Sequence, residues 1–531
     1  VITRSSFAEE GFAGPVSVFT PALCRFVMQH LRLGDRPPPL NWPKGIAASD
    51  RVFYDLATDP ALVALVRSLL GDDLVLWGTT IVERNPGAVH HWHTDIESSA
   101  ADGRFVSVWI GLENTARASA LKLVSRSHTF GAPIQRVAQQ NGLRRGQVVD
   151  ERVAAWARTR HPSAGIVQPD ASDGDAILFD GRMWHSSHNT LAEGRRTALL
   201  LQYAAAGTPL FIPDFNQLEW PFRFTAERPP TVVVSGKQDS RSNELVPRPP
   251  VPRAGTRLVT VAKSLTLPLE RDEAKGWRPH KLFRGRTPVF ELMACHASVL
   301  DPGHSPHAPH SHIEEELLIV LDGEAEVVIA DGPSENEARI ETLRRGEFVY
   351  HPAFQHHTIR NAAAAPVTYL MFKWRAAPAN NASPLASTIF RGDIFANARE
   401  RKPFASRRLF EHPTAFLQKL HAHVTVLEPG AGYAPHTDDY DVAIVTFDGA
   451  VKTVGRTVRP HGVIYYAAGE PHGMRNVGNA PARYLVFEFH PPKDRPRGEL
   501  DEATSPPPVI SRLRSFLDRW RLRLAASSAG R

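Results

Sequence analysis

The chain has 531 residues, 42% hydrophobic and 22% charged, with 62 basic and 56 acidic side chains for a net charge of +6. That length predicts two or three ordinary domains, each able to bury a core, and the composition excludes a disordered chain. The basic residues are dispersed and form no patch, so nucleic acid binding is not expected, although the modest positive charge suits an anionic substrate.

Only Cys24 and Cys295 occur. They are too few and too far apart in sequence for a disulfide framework, which points to a reducing compartment and makes the cytoplasm the expected location. No apolar run approaches the ~20 residues a membrane-spanning helix needs. The strongest, residues 317–321, stops at Asp322-Gly323. The opening Val1-Ile2-Thr3-Arg4 lacks the apolar stretch of a signal peptide and also lacks a starting Met, so a removed leader stays open.

In chain order, residues 60–70 read as an amphipathic helix, and 106–110, 198–203, 326–330 and 484–489 read as strands, being short, apolar and mostly rich in β-branched or aromatic residues. Gly, Pro, Asn and Asp punctuate them closely, which predicts a mainly β chain of successive sandwich or jelly-roll domains. Prolines and polar residues gather over 227–256, including Arg248-Pro249-Pro250-Val251-Pro252, and read as an extended connector. A weaker break falls around 376–387. After Ser505-Pro506-Pro507-Pro508, residues 509–526 read as a basic helix. Its Leu, Phe and Trp residues suit a membrane surface, but a packed or solvated terminal helix is the preferred reading.

The second half contains a repeat. Pro309-His310-Ser311-His312 followed by Asp322-Gly323 recurs as Pro435-His436-Thr437-Asp438 followed by Asp448-Gly449, an offset of 126 in both pairs (435 − 309 and 448 − 322). Two copies of one fold are expected. The resulting partition is an N-terminal domain over 1–226, a linker over 227–256, repeat modules over 257–380 and 381–492, and a tail over 493–531.

The chemistry begins at His93-Thr94-Asp95. On a strand, positions i and i+2 project from one face, so His93 and Asp95 can share a metal. His185, in Trp184-His185-Ser186, is the candidate third ligand. Two imidazoles and a carboxylate on one side of iron leave positions open for a bidentate oxoacid and oxygen, although zinc tolerates the same donors. Arg196 follows after a turn, just ahead of the next apolar strand. It can return to the metal across a hairpin and bind the distal carboxylate of 2-oxoglutarate through a paired, charge-assisted contact. Arg195 is the lesser candidate. With 24 histidines, roughly one His-x-Asp is expected by chance, so the weight rests on His185, Arg196 and their surroundings. His90, His91 and His188 are set aside as neighbours of the site or surface histidines.

Over roughly residues 5–225 the chain resembles the phytanoyl-CoA dioxygenase family. The resemblance includes Glu10-Gly11-Phe12-Ala13-Gly14-Pro15-Val16 and the segment from Ser119 through Ser125-Arg126-Ser127-His128. Ser125-Arg126 stands where the family has Pro-Gly, and Asn189 sits one residue closer to His185 than the pattern suggests. The resemblance implies a double-stranded β-helix, Fe(II), molecular oxygen and decarboxylation of 2-oxoglutarate to succinate, with hydroxylation of an unactivated carbon. Related halogenases replace the carboxylate ligand with a small residue. Asp95 therefore favours hydroxylation.

Residues 303–323 and 346–361 are similar to cupin motifs, and together the modules resemble a bicupin over roughly 257–492. The resemblance assigns His310, His312, Glu316 and His357 as ligands to a second divalent metal, Fe, Mn, Ni or Zn, within a β-barrel. His310 and His312 are expected on one strand face, with Glu315 and His356 turned away by alternation. The second copy keeps His436, His472 and Asn476. It has Asp438 at the second histidine position and Val442 at the glutamate position, so its site is expected to be degraded, and Asp441 substitutes only if the register slips.

The expected activity is hydroxylation of a small-molecule metabolite or biosynthetic intermediate. Two alternatives stay open: a bifunctional chain in which the first cupin runs a separate isomerase or dioxygenase reaction, and a bicupin that only binds a ligand or joins a homodimer.

Overall fold

The structure is a computed structural model that describes residues 4–493 apart from 35, 41, 96–103, 218–219, 238–240, 253 and 397–403. The expected basic tail helix lies outside the described residues.

The N-terminal region is a two-sheet jelly roll. Its large sheet runs Phe12–Ser17, Asp175–Asp180, Phe105–Glu113, Arg196–Ala205, Leu74–Arg84, Pro230–Ser235 and Glu244–Leu245. The small sheet runs Val89–His93, His185–His188, Leu121–Val124 and Ile166–Val167. Alternation along Phe105–Glu113 decides what goes where. Val106, Val108 and Ile110 join Leu23, Val27, Phe53, Leu62 and Val66 of three covering helices. Trp109 turns the other way, among Leu121, Leu123, Ile177 and Phe179 between the sheets.

Those helices are Pro21–Arg32, Arg51–Ala57 and Pro60–Leu70. The last coincides with the sequence expectation because its ends are locally encoded. Asp59 accepts from the Ala61 and Leu62 amides, Pro60 occupies the first turn, and Gly71 at φ 95° ends it. The other two, and Ile134–Gln140 and Asp150–Arg160, were not anticipated. The stretch 227–256 is not a bare connector either. Pro230–Ser235 pairs antiparallel with Leu74–Arg84 as an outer strand, because Thr-Val-Val-Val offers the sheet an apolar face.

The second half contains two barrels with matching registers. In the first, Glu315–Asp322 lies between Val367–Arg375 and Phe348–His351; in the second, Asp441–Asp448 lies between Ala482–His490 and Val463–Tyr466. The six-stranded sheets share a core in which Phe348 meets Phe487 and Trp374 meets Phe489, with ring centroids 5.4 and 5.2 Å apart.

The barrels also exchange strands. Val261–Lys263 pairs with Val463–Tyr466 of the second barrel, while Thr388–Phe390 pairs with Phe348–His351 of the first. The expected boundaries at 256/257 and 380/381 are therefore crossed. Each displaced segment leaves one barrel and supplies an edge strand to the other.

A reciprocal clasp reinforces the pair. Glu315 accepts from Thr414 Oγ1 at 2.9 Å and the Ala415 amide at 2.7 Å, and its counterpart Asp441 accepts from Tyr465 Oη at 2.6 Å and from Thr287 Oγ1. Burial pushes Glu315 up to about 7 and Asp441 up to about 6. Both carboxyls face the shared core, so Asp441 does not replace the missing ligand at Val442. No helix among the described residues is long and apolar enough to cross a membrane.

Candidate metal centres

His93, Asp95 and His185 converge. His93 and His185 sit opposite each other on adjacent antiparallel strands, with ring centroids 4.0 Å apart. Asp95 lies just past the end of Val89–His93, so the chain delivers it by leaving the strand and not by sharing a regular strand face. Its Oδ1 is 3.6 Å from Nε2 of each histidine.

The remaining atoms are tied. Nδ1 of His93 faces the His91 carbonyl at 2.9 Å, and Nδ1 of His185 faces that of Met183 at 3.0 Å. Donation from Nδ1–H leaves each Nε2 with a lone pair for a metal. Asp95 Oδ2 accepts from Ser107 Oγ at 2.7 Å and Gln202 Nε2 at 3.2 Å, which leaves Oδ1 facing the histidines. Burial lowers both histidine pKa values; for His93 the neighbouring His185 adds to this, and for His185 Asp95 partly opposes it. Neutral imidazole is the ligating form. Ser107 and Gln202 were not singled out from sequence, since their pairing with Asp95 is long-range.

Arg196 is fully buried at the start of Arg196–Ala205. Its Nη2 reaches Ser187 Oγ at 3.4 Å, on the strand that carries His185, and its guanidinium carbon lies 5.3 Å from the Trp109 ring centre. Among the described residues Nε and Nη1 have no hydrogen-bond partner. Burial, then the charge of Arg84, pushes its pKa down to about 10. A buried guanidinium with two idle donors calls for an anion, and a dicarboxylate held partly by the metal is one that fits. Arg195 turns outward to Glu83 at 3.3 Å. His90 stacks near His93, ring centroids 4.1 Å apart, and His91 is exposed.

The two departures from the family pattern keep workable geometry. Arg126 takes the left-handed conformation at φ 65° that glycine would adopt freely, and its side chain pairs with Glu9 and Glu10, each at 2.7 Å. Buried Asn189 donates to the carbonyls of Arg84 and Gly194 at 2.9 and 3.1 Å, closing the loop that leads to Arg196.

In the first barrel, His312, Glu316 and His357 offer donor atoms within 4.8 Å of one another. Glu316 is fully buried, its two oxygens each 3.4 Å from Nε2 of His312 or His357. His310 stands beside the group, its ring 5.2 Å from those of His312 and His357. His310 and His312 precede the strand Glu315–Asp322, so a shared strand face does not describe them; His310 is placed by a backbone bridge to His357. Glu315 faces the opposite way, as alternation predicts.

Sequence reading missed Lys373. Its Nζ lies 3.0 Å from His312 Nε2 and 3.2 Å from Glu316 Oε2. Burial alone raises the Glu316 pKa, but Lys373 and His357 overrule it and hold the carboxyl well below its ordinary value. The donor set thus fits a metal only if the ammonium gives way.

The second barrel is less degraded than expected. His436, Asp438 and His472 come together, with Asp438 Oδ2 3.7 Å from His436 Nε2 and 3.3 Å from His472 Nε2. The available signal was His436-x-Asp438 with His472, the same order as His93-x-Asp95 with His185.

Residues 43–198 match the model of the phytanoyl-CoA dioxygenase (PhyH) family, and residues 297–373 match that of the cupin domain. The chain is 29% identical to an ectoine dioxygenase of Sphingopyxis alaskensis over 35% of this chain and 61% of that protein. It is 25% identical to dioxygenase af480 of Aspergillus fumigatus over 30% of this chain and 49% of that protein. It thus spans between about half and three fifths of these curated relatives. Among solved structures, the cupin 2 conserved barrel domain protein from Leptotrichia buccalis has 13% identity and a TM-score of 0.33, covering 44% of this chain and 99% of that one. The chain therefore joins a phytanoyl-CoA dioxygenase-family segment to a cupin segment.

Proposed function

We propose that the chain is an Fe(II)- and 2-oxoglutarate-dependent dioxygenase that hydroxylates a small molecule. The observation that carries this reading is Arg196, a buried guanidinium with two idle donors beside a buried His-Asp-His set. A zinc hydrolase would use the three ligands but has no need of the arginine. Iron with 2-oxoglutarate and oxygen supplies oxidation of a C–H bond, releasing succinate and carbon dioxide.

The protein's own part is to hold and orient. His93, Asp95 and His185 would take one side of the iron. Ser107 and Gln202 hold the Asp95 carboxylate in one rotation, and Arg196 would fix the distal carboxylate of the oxoacid. Asp95 occupies the position that a halide would need, which favours hydroxylation.

The test is succinate formation coupled to a candidate substrate. Asp95→Ala and His93→Ala should abolish it in a folded protein; retained substrate-coupled turnover would overturn the assignment.

A second reading, favoured by the fully buried Glu316, gives the first barrel its own divalent metal, Fe, Mn, Ni or Zn, on His310, His312, Glu316 and His357 and a separate isomerase or dioxygenase reaction. Metal content unchanged by His312→Ala would rule it out. The free, buried Cys24 and Cys295 support a cytoplasmic setting. The barrels are the proposed contact for any homodimer.

A further inference from the structure

We propose that the second cupin barrel carries a divalent-metal site on the wall formed by Lys419–Leu427 and Ala482–His490, built from His421, His423 and Glu488.

Comparison of the barrels motivates it. In the first, Glu316 pairs across the sheet with Lys373. At the same register of the second, Val442 pairs with Glu488. The carboxylate has moved one strand over, to the place where the first barrel has a cation. One histidine differs as well: His421 pairs with Glu488 where Ala294 pairs with Lys373, while His423 keeps the place that His296 holds in the first barrel.

Alternation puts the group inside the barrel. Leu420, Ala422, Val424, Phe487 and Phe489 belong to the core shared between the barrels, so His421, His423, Glu488 and His490 take the other face, along with Tyr484 and Val486. Donor atoms of His421, His423 and Glu488 lie within 4.8 Å of one another, all three side chains half-buried. Bonds of about 2.0 Å to a tetrahedral ion need donors about 3.3 Å apart, a closure within reach of partly exposed side chains.

Two of the three ligands are also held from behind. His490 Nε2 lies 3.0 Å from Glu488 Oε2, and the His490 ring packs on Tyr440 with centroids 3.9 Å apart, leaving Glu488 Oε1 for the ion. Glu411 Oε2 lies 2.9 Å from His421 Nδ1, the carboxylate–histidine support typical of metal ligands. His423 Nδ1 is buried, has no hydrogen-bond partner among the described residues and stands 3.9 Å from Glu488 Oε1. Three imidazoles around one carboxylate supply more nitrogen than an ion pair requires. They match a borderline cation of the Zn²⁺ class. The site shares no residue with the His436, Asp438 and His472 cluster.

Zn²⁺ itself is the probe, on the full chain. Equilibrium dialysis should show His423→Gln with Glu488→Gln losing about one equivalent of Zn²⁺, while His436→Ala with His472→Ala keeps that equivalent. Histidine carbethoxylation mapped by mass spectrometry gives a readout without variants: Zn²⁺ should protect His421 and His423 in the unaltered protein. Unchanged labelling of both, or an unchanged Zn²⁺ count in the His423/Glu488 variant, overturns the proposal.

Discussion

Arg196→Met gives the sharpest test, because the structure predicts little change in stability without the oxoacid and the proposed function a large one with it. Without 2-oxoglutarate, the wild type buries a guanidinium whose Nε and Nη1 are unsatisfied, which costs about 1–3 kcal/mol. Methionine fills similar length without charge. The contact with Trp109, worth about 2 kcal/mol for a desolvated pair, and the 3.4 Å contact with Ser187 Oγ are lost, so without the oxoacid the two proteins should differ by no more than about 1 kcal/mol, a few degrees in Tm. With 2-oxoglutarate at a hundred times its Kd, the wild type should gain about 2.7 kcal/mol and the variant almost nothing. A gap in melting temperature therefore opens when the oxoacid is added. Thermal denaturation with Mn²⁺ in place of iron, which prevents turnover, measures both halves. A variant destabilised by several kcal/mol without the oxoacid, or equal stabilisation of both proteins by it, refutes the reasoning.

Three further outcomes follow from contacts in the structure. Ser107→Ala removes the 2.7 Å donor to Asp95 Oδ2 and should weaken Fe(II) or Mn²⁺ binding about 10- to 100-fold in a metal titration while the fold persists; unchanged affinity would show that Ser107 does not orient the ligand. Lys373→Met leaves Glu316 buried beside histidines alone, so the variant should lose stability, recover it with added Zn²⁺ and bind that ion more tightly at His312 than wild type does; equal affinities would mean that the ammonium does not compete. Glu315→Gln tests the clasp. The folded Glu315 pKa, raised by burial to about 7 from an ordinary 4.5, means that the unfolded chain loses its proton first. Stability from this group is therefore present below about pH 4.5 and lost as pH rises to about 7, by roughly 3 kcal/mol at most. The glutamine variant should lack that decline in denaturant titrations between pH 5 and 7, and an unchanged slope would sink the account.

Much of the chain was legible in its residues. The helix Pro60–Leu70 announces itself through Asp59, Pro60 and Gly71, and the strands at 106–110 and 198–203 through local apolar pattern. The donor types of the first site and the 126-residue repeat are also linear facts. Local signals suffice where a feature's cause lies within a few residues.

What tertiary structure alone decided depends on partners far away in sequence. Val261–Lys263 and Thr388–Phe390 carry nothing that assigns them to the other barrel; a three-residue strand takes its place from the open edge it meets. The idle donors of Arg196 become visible only once burial has removed water from them, and the competition at Glu316 only once register sets Lys373 beside it. Sequence named most of the candidate metal-binding side chains. Packing determined which of their atoms are tied, which are left facing a cation, and where a carboxylate moved one strand over in the second barrel.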